Sequence, residues 1–580
     1  MKIRAKKTPE PGAEKTILQK WGRPRSRRTF IATLLAAPAA LANALKGNPS
    51  PYLAMHGDNP VDWHLWSDAV LKQAQAHNRL IFISSGYFSC YWCHRMEEDV
   101  YLHPDAAAVL NRYTIPVKVD RELDPALDSY LIDFAQRTTG RAGWPIHVLL
   151  TPDGLPFYSF LYQPKKPFME IIERAARLWA ERPDEIRAAA RRALPHPRRY
   201  DPDARPTLKR QAFRTLFLER LREEMDDFSG GLKGQQKFPQ SPLLLSVASL
   251  NGLPDTVREW LTLTLEQMAS RHLRDHVHGG FFRYTVDPEW HTPHYEKMLY
   301  DNAQLATLYC RAGRRFDRRD WIDIGLETLH FVEAQLFNPK TGLFFGSLSA
   351  VDAHGEEGGN YLWTRSELKR VLDAETFNLI RKAWQLDQPG PWDGKWLPEP
   401  IEDPRWPAIR RKLAAAKPQP ARDSKQLLGW NALMVEAYQA AAEASGEDTW
   451  RNKATELFER LHHLLMGKRP PRALIGRRPA GDATLEDHAL LLRAAAVLGR
   501  PTDALRRYIE RRYLTDTGWK LAARPMLPGM GGRFWLPDDA LPSLTALVDK
   551  GAPARLAAAE PDLRRAPLAS GSYLRFHTLL

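Results

Sequence analysis

The sharpest chemical signal in this 580-residue chain is a pair of cysteines two residues apart, in Cys90-Tyr91-Trp92-Cys93-His94. The thiolate is the reactive form of cysteine, and a helix N-terminus favours it because unpaired backbone N–H groups attract negative charge. If the pair opens a helix, Cys90 is the exposed nucleophile. Cys93, one turn further in, is then the thiol that resolves a mixed disulfide. Three other chemistries share these residues: c-type haem attachment, part of a zinc site, or an inert structural pair. The only other cysteine, Cys310, sits in a helical run where a small buried residue is expected. His94 either adds positive charge beside the pair when protonated or faces solvent.

A second constellation lies in the other half of the chain. His294, Lys297 and Asp301 are spaced i, i+3, i+7 on one helical face, with Glu296 beside them. Arg283-Tyr284 follows a glycine turn, Asp352 precedes Glu356-Glu357-Gly358, and Trp430-Asn431 and Glu486-Asp487-His488 open helices. A cavity ringed by such carboxylates, histidine and tryptophan suits a carbohydrate, with Trp faces against the sugar and two carboxylates for acid–base work. The competing reading is structural: charged residues at helix starts cap helices and pair with neighbours.

The elements that must position these groups are legible as pattern. Leu80–Ile83 is a buried strand, followed by a small-residue loop and the Cys-x-x-Cys helix. Ala106–Tyr113 reads as a helix, Ile115–Val119 as a strand, Asp124–Thr138 as a helix and Ile146–Leu150 as a strand. Pro152-Asp153-Gly154 turns the chain into Phe157–Phe160, and Phe168–Leu178 closes the unit. This order is that of the thioredoxin fold. Pro145, just before the third core strand, is expected to be cis and to shape the substrate groove. Ahead of it all, residues 50–63 are dense in proline and aromatics, as in an ordered segment wrapped on a domain.

Beyond a Pro/Arg/Asp-rich linker, strand signals nearly vanish. Ten amphipathic stretches follow, several joined by glycine–aromatic turns, which suits a closed toroid of helix pairs or an open solenoid; about 380 residues and ten to twelve helices favour the toroid. Residues 386–426 read as a long surface loop. The resulting division is a signal peptide at 1–44, a thioredoxin-like domain at 45–195, a linker at 196–204 and a helical barrel at 205–580.

Charge agrees with that division. Ten lysines and arginines against two glutamates in residues 1–44 account for eight of the fourteen net positive charges. The remainder has no basic block, so nucleic-acid binding is not indicated. Residues 1–44 run basic, twin-arginine (Arg27-Arg28), apolar and small, the order of a twin-arginine signal peptide, so export to a bacterial periplasm is expected. No other stretch is long and apolar enough for a membrane span.

The motifs together resemble one family. Ser50-Pro51-Tyr52-Leu53, Asn59-Pro60-Val61-Asp62-Trp63, the Cys90–His94 pentapeptide, Val119-Asp120-Arg121-Glu122 and Gly143-Trp144-Pro145 carry the first half. Lys237-Phe238-Pro239, Pro293-His294-Tyr295-Glu296-Lys297, Gly355-Glu356-Glu357-Gly358 and Trp430-Asn431 carry the second. The chain is similar, from about Ser50 to Ser543, to the thioredoxin-domain family of spermatogenesis-associated protein 20. That resemblance implies a thioredoxin-like domain fused to a six-hairpin barrel like those of N-acylglucosamine 2-epimerases and glycosidases. The chain departs from the family pattern at Ala350 and Asp352, at Asp423-Ser424-Lys425, and in a short C-terminal helical region.

The expected fold is therefore an α/β thioredoxin-like domain followed by an all-α (α/α)6 toroid. The expected activity is thiol–disulfide exchange by Cys90, Cys93 and Pro145, requiring no cofactor and no metal, with a redox partner protein of unspecified identity. The alternatives are sugar isomerase or hydrolase chemistry in the barrel and a non-catalytic binding protein. The secondary barrel site comprises Arg283, His294, Glu296, Asp301, Asp352, Trp430, Asn431 and Asp487, for a carbohydrate-like ligand.

Overall fold

A computed structural model describes residues 43–196, 198, 200–549 and 552–577. The expected signal peptide, up to Ala42, lies outside the described residues. The chain divides into two compact units. The first holds residues up to His196 together with Pro525–Met530, and the second holds the rest.

In the first unit, the leading segment forms α1 (Pro51–Met55). Ser50 caps it by accepting from the Leu53 N–H, and Pro51 sits at the first helical position, where a missing N–H costs nothing. Then come α2 (Asp68–His77), β1 (Leu80–Gly86), α3 (Tyr91–Met96), α4 (Pro104–Tyr113), β2 (Thr114–Asp120), α5 (Pro125–Thr139), β3 (Ile146–Leu150), β4 (Pro156–Phe160), α6 (Lys165–Glu181) and α7 (Pro183–Arg192). The sheet order is β2-β1-β3-β4, with β1 parallel to β2 and antiparallel to β3. Helices cover both faces, so every residue of β1 and β2 is buried. Ile81, Ile83, Val117, Leu131, Phe134 and Val148 build one layer of core. Leu527 joins that layer, and the Tyr130 hydroxyl donates to the Pro528 carbonyl at 2.8 Å, so a short segment from far along the chain completes this unit. Nothing in the sequence pattern marks it.

Among the described residues, the second unit has twelve main helices in six outer–inner pairs. These are α8 (Arg210–Glu224) and α9 (Ser241–Ser249), then α10 (Asp255–Ser270) and α11 (Leu299–Phe316). After α12 (Arg319–Leu336), an insertion carries α13 (Arg365–Val371), α14 (Ala374–Ala383) and α15 (Trp406–Ala416) before the inner α16 (Leu428–Ser445). Then follow α17 (Asp448–Leu465) and α18 (Leu485–Val497), α19 (Asp503–Tyr513) and α20 (Leu544–Val548), and α21 (Pro553–Arg565) and α22 (Gly571–Phe576). Each inner helix packs on the next, and α22 returns to α9, so the ring closes as an (α/α)6 toroid. Inner helices such as α9 and α16 are apolar or small nearly all round because they are covered nearly all round. The expected surface loop at 386–426 contains α15, whose Ile409 and Leu413 are buried. The C-terminal region also supplies more than its pattern suggests: α21 and α22 complete the ring.

Two glycine turns in this unit share one construction. Asp226 accepts from the Phe228 and Ser229 N–H groups at 3.0 Å each, and Lys237 Nζ donates to its other oxygen (2.7 Å) and to the Gly230 carbonyl (2.8 Å). Asp275 accepts from Val277 (2.8 Å) and His278 (3.0 Å), and Lys297 Nζ donates to Asp275 (2.6 Å) and the Gly279 carbonyl (2.8 Å). Gly230 and Gly279 take φ of 71° and 85°, which a side chain would resist.

Candidate functional site

β1 ends at Gly86, and the chain crosses a short loop to Cys90, the N-cap of α3. The Cys90 Sγ accepts from the Cys93 N–H at 3.2 Å, using one of the donors that a helix start leaves open. That turns the sulfur inward: Cys90 is 4% exposed and Cys93 1%, so the expectation of an exposed Cys90 is corrected. The exposed residue of the motif is Trp92, at 41%, whose ring lies 5.3 Å from Tyr91 and 5.0 Å from Tyr162. His94 neither carries charge to the pair nor faces solvent. Its Nε2 meets the Phe88 carbonyl at 2.8 Å, and burial lowers its pKa, so the neutral ring braces the loop.

The Trp144–Pro145 peptide bond is cis, as the strand order led us to expect. Trp144 Nε1 donates to the buried Asp128 at 2.9 Å, and Ser85 donates to the same carboxylate at 2.6 Å. The Arg121 guanidinium lies 3.8 Å over the Trp144 ring. Loop and strand are thus tied together on the side of the sheet end that carries Pro145.

Beneath Cys93 lies a buried polar group that the sequence reading missed. Lys118 of β2 is 2% exposed. Its Nζ donates to Ser84 Oγ at 3.1 Å and lies 4.3–5.3 Å from the ring centroids of Tyr52, Trp63 and Tyr101. No carboxylate lies within ion-pair distance of it among the described residues. Burial pushes its ammonium down to about 7, against the opposing pull of Cys93, Glu97 and Cys90. Tyr101 donates to Ser84 at 3.0 Å and meets His147 Nε2 at 2.8 Å. Burial and Lys118 push His147 down to about 3 and His56 to about 4, so both rings are neutral. The available signal was the lysine inside Ile115-Pro116-Val117-Lys118-Val119, a strand whose place in the sheet buries both of its faces.

In the toroid, the expected residues divide. Tyr284 pairs with His294 across a two-residue antiparallel ladder, and the His294 Nδ1 meets the Glu357 carboxylate. Burial lowers the His294 pKa, but the Glu357 hydrogen bond and the charges of Glu357 and Glu296 outweigh it, so the net direction is up. Arg283 lies 3.5 Å from Glu296, and both are buried. The Tyr284 ring stacks on Phe238 at 4.5 Å and meets the tilted His294 ring at 4.6 Å. Arg283, His294 and Glu296 therefore come together, with Glu357 and Tyr284 as partners. Asp301 is buried in the first turn of α11, and Trp430 meets Tyr300 edge-on at 4.6 Å.

The other three candidates serve the fold. Asp352 accepts from the N–H groups of His354 and Glu356 in its own loop. Asn431 clamps Phe344, accepting from its N–H at 2.7 Å and donating to its carbonyl at 3.0 Å. Asn302 does the same to Phe281. Asp487 is the capping-box partner of Thr484, pairs with Arg472 at 2.7 Å and accepts from the Gly429 N–H. A cavity of about 330 Å³ lies elsewhere, among α12, α16 and α17, lined by Phe337, Phe344, Tyr438, Lys453 and Leu457 and by none of the expected site residues.

Comparison with known proteins finds the following similarities. A thioredoxin DsbH family model, described as a protein of unknown function (DUF255), matches residues 42–196. Human spermatogenesis-associated protein 20 is 29% identical over 494 residues, covering 72% of this chain and 61% of that protein. The rat protein of the same name is 33% identical over 366 residues, covering 58% and 45%. The chain thus spans between about half and three-fifths of the length of these relatives. A sugar epimerase from a ruminal bacterium is 13% identical with a TM-score of 0.28, covering 54% of this chain and 90% of that one. The resemblance to the spermatogenesis-associated protein 20 family is borne out.

Proposed function

We propose that this chain, whose residues 42–196 match the DsbH-type thioredoxin domain, is a thiol–disulfide oxidoreductase acting through Cys90 and Cys93. The observation that carries the reading is Cys90 at the N-cap of α3 with its sulfur on the Cys93 N–H. A charge on that sulfur is held by the helix start rather than by solvent. In the reducing direction, the Cys90 thiolate attacks a substrate disulfide, one substrate sulfur leaves, and a mixed disulfide forms. Cys93 then attacks Cys90 Sγ, closing the Cys90–Cys93 disulfide and releasing the second substrate thiol. Two electrons pass to the substrate, and an external dithiol resets the pair. Pro145 and Trp144 border the groove, and the exposed Trp92 meets the partner.

Haem attachment is disfavoured because His94 Nε2, the ligand it would need, is taken by the Phe88 carbonyl. Differential alkylation of the purified protein tests the reading. Mild oxidation should protect two thiols, Cys90 and Cys93, and dithiothreitol should restore them. Two thiols that stay alkylatable after oxidation would overturn it.

The His294–Glu357 pair beside the Tyr284–Phe238 stack favours a second reading, a barrel that binds a carbohydrate-like ligand. Binding of neutral oligosaccharides, lost in Tyr284→Ala, tests it. The signal-like order of residues 1–44 supports export as well; replacing Arg27 and Arg28 with lysine should then retain the precursor in the cytoplasm.

A further inference from the structure

The leading segment, residues 50–63, precedes the thioredoxin elements, and the proposed exchange does not use it. Its residues nonetheless line the floor of the cysteine site. Tyr52 is fully buried, and among the described residues its hydroxyl has no hydrogen-bond partner. A buried hydroxyl left unpaired is destabilising, so its place calls for a reason. Gly86 shows where it points. A Cβ built on Gly86 would fall 2.4 Å from the Tyr52 hydroxyl and 2.7 Å from Cys93 Sγ. Hydroxyl and sulfur thus face one gap that only a glycine leaves open. Lys118 closes the same pocket from β2, 5.3 Å from the Tyr52 ring. Ser50, donating to Asp120 at 2.6 Å, and the buried His56, 3.4 Å from Glu97, fasten the segment in place.

We propose that Tyr52 and Lys118 are the positioning residues for Cys93 in the resolving step: Lys118 takes the Cys93 proton, and the Tyr52 hydroxyl donates to the sulfur that remains. This rests on the exchange reading above. Cys93–SH gives its proton to the neutral Lys118 amine, leaving a thiolate facing an ammonium and a hydroxyl. The thiolate attacks Cys90 Sγ, the Cys90–substrate bond breaks, and the substrate thiolate leaves and takes a proton from water. Lys118 returns its proton to solvent when the pair is reset by an external dithiol. Burial keeps a share of Lys118 neutral near pH 7, which supports its role as acceptor. The groups that face it are Cys93, Cys90, Glu97, Tyr52, Tyr101, His56 and His147. Of these, Glu97 is engaged by His56 and Asn59, and the two histidines are neutral.

The test uses the reduced full chain and dithiodipyridine, a small aromatic disulfide that releases one coloured thione when Cys90 attacks and a second when Cys93 resolves. Stopped-flow absorbance separates the two phases. Tyr52→Phe and Lys118→Met should leave the first phase within about twofold. They should slow the second at neutral pH by about tenfold or more for Lys118→Met and severalfold for Tyr52→Phe. The Lys118→Met deficit should shrink in alkaline buffer, where hydroxide removes the proton instead. Tyr52→Phe changes only the hydroxyl, so it keeps the test valid if Lys118→Met folds poorly. A second phase unchanged in both variants overturns this inference while leaving the exchange reading intact. A wild-type chain with no first phase refutes the exchange reading instead.

Discussion

Among the described residues, four buried lysines divide this molecule into two kinds of polar interior. In the toroid, Lys237, Lys297 and Lys425 each sit within 2.6–3.2 Å of an aspartate, and the first two fix glycine turns. In the thioredoxin unit, Lys118 is as deeply buried, yet it has a serine, three aromatic rings and a pair of thiols around it. The toroid lysines are consumed by the fold. Lys118 is a base that burial pushes down to about 7, with thiols rather than a paired carboxylate beside it. A buried polar residue is therefore informative about chemistry when its partner is missing, and informative about architecture when its partner is in place.

The strongest way to break that contrast is one substitution made twice. Lys297→Met strands the Asp275 carboxylate, whose pKa Lys297 now holds well below its usual value, and should cost about 3–5 kcal/mol in urea unfolding. Lys118→Met removes a cation that has no carboxylate partner and should leave stability unchanged or raised. Equal losses in both would erase the distinction.

A smaller effect separates the His294–Glu357 pair from the purely structural groups. The folded pKa of His294 is raised above 6.5, so its stabilisation is complete below that value and is lost as pH climbs through the folded pKa. The wild-type unfolding free energy should fall over that window relative to His294→Gln, by an amount on the order of 1 kcal/mol. Parallel curves would show that Glu357 adds nothing.

The smallest effect belongs to Asp352. Asp352→Ala frees two loop N–H groups that are close to solvent, so it should cost about 1 kcal/mol or less and leave thiol exchange untouched. A loss of exchange activity in this variant would mean that the loop bears on the cysteine site.

Much of this was legible in the sequence, for identifiable reasons. The strand order, the proline ahead of β3 and the helix pairs follow from apolar period and turn residues, which are local. The cysteine pair was legible because its chemistry lies in adjacent residues. Four things were not. The α21 and α22 helices hide behind Pro561 and a Gly-Ser start, and α22 is only six residues long, so no period develops. Pro525–Met530 joins the first unit through single contacts that no pattern announces. The backbone contacts of Asp352, Asn431 and Asp487 were hidden because a polar residue at a helix or loop start looks the same in sequence whether it faces a cavity or its own backbone. The inward turn of Cys90 was hidden for the same reason, since it depends on which N–H the sulfur meets.

The central claim is that Cys90 attacks and Cys93 resolves, and intermediate trapping tests it most directly. Cys93→Ser should accumulate mixed disulfides with partner proteins that dithiothreitol releases, because the attacking thiol remains and the resolving one is gone. Cys90→Ser should accumulate none, since Cys93 is sealed beneath the sheet end at 1% exposure. Equal trapping by the two variants, or trapping by Cys90→Ser alone, would contradict the assignment.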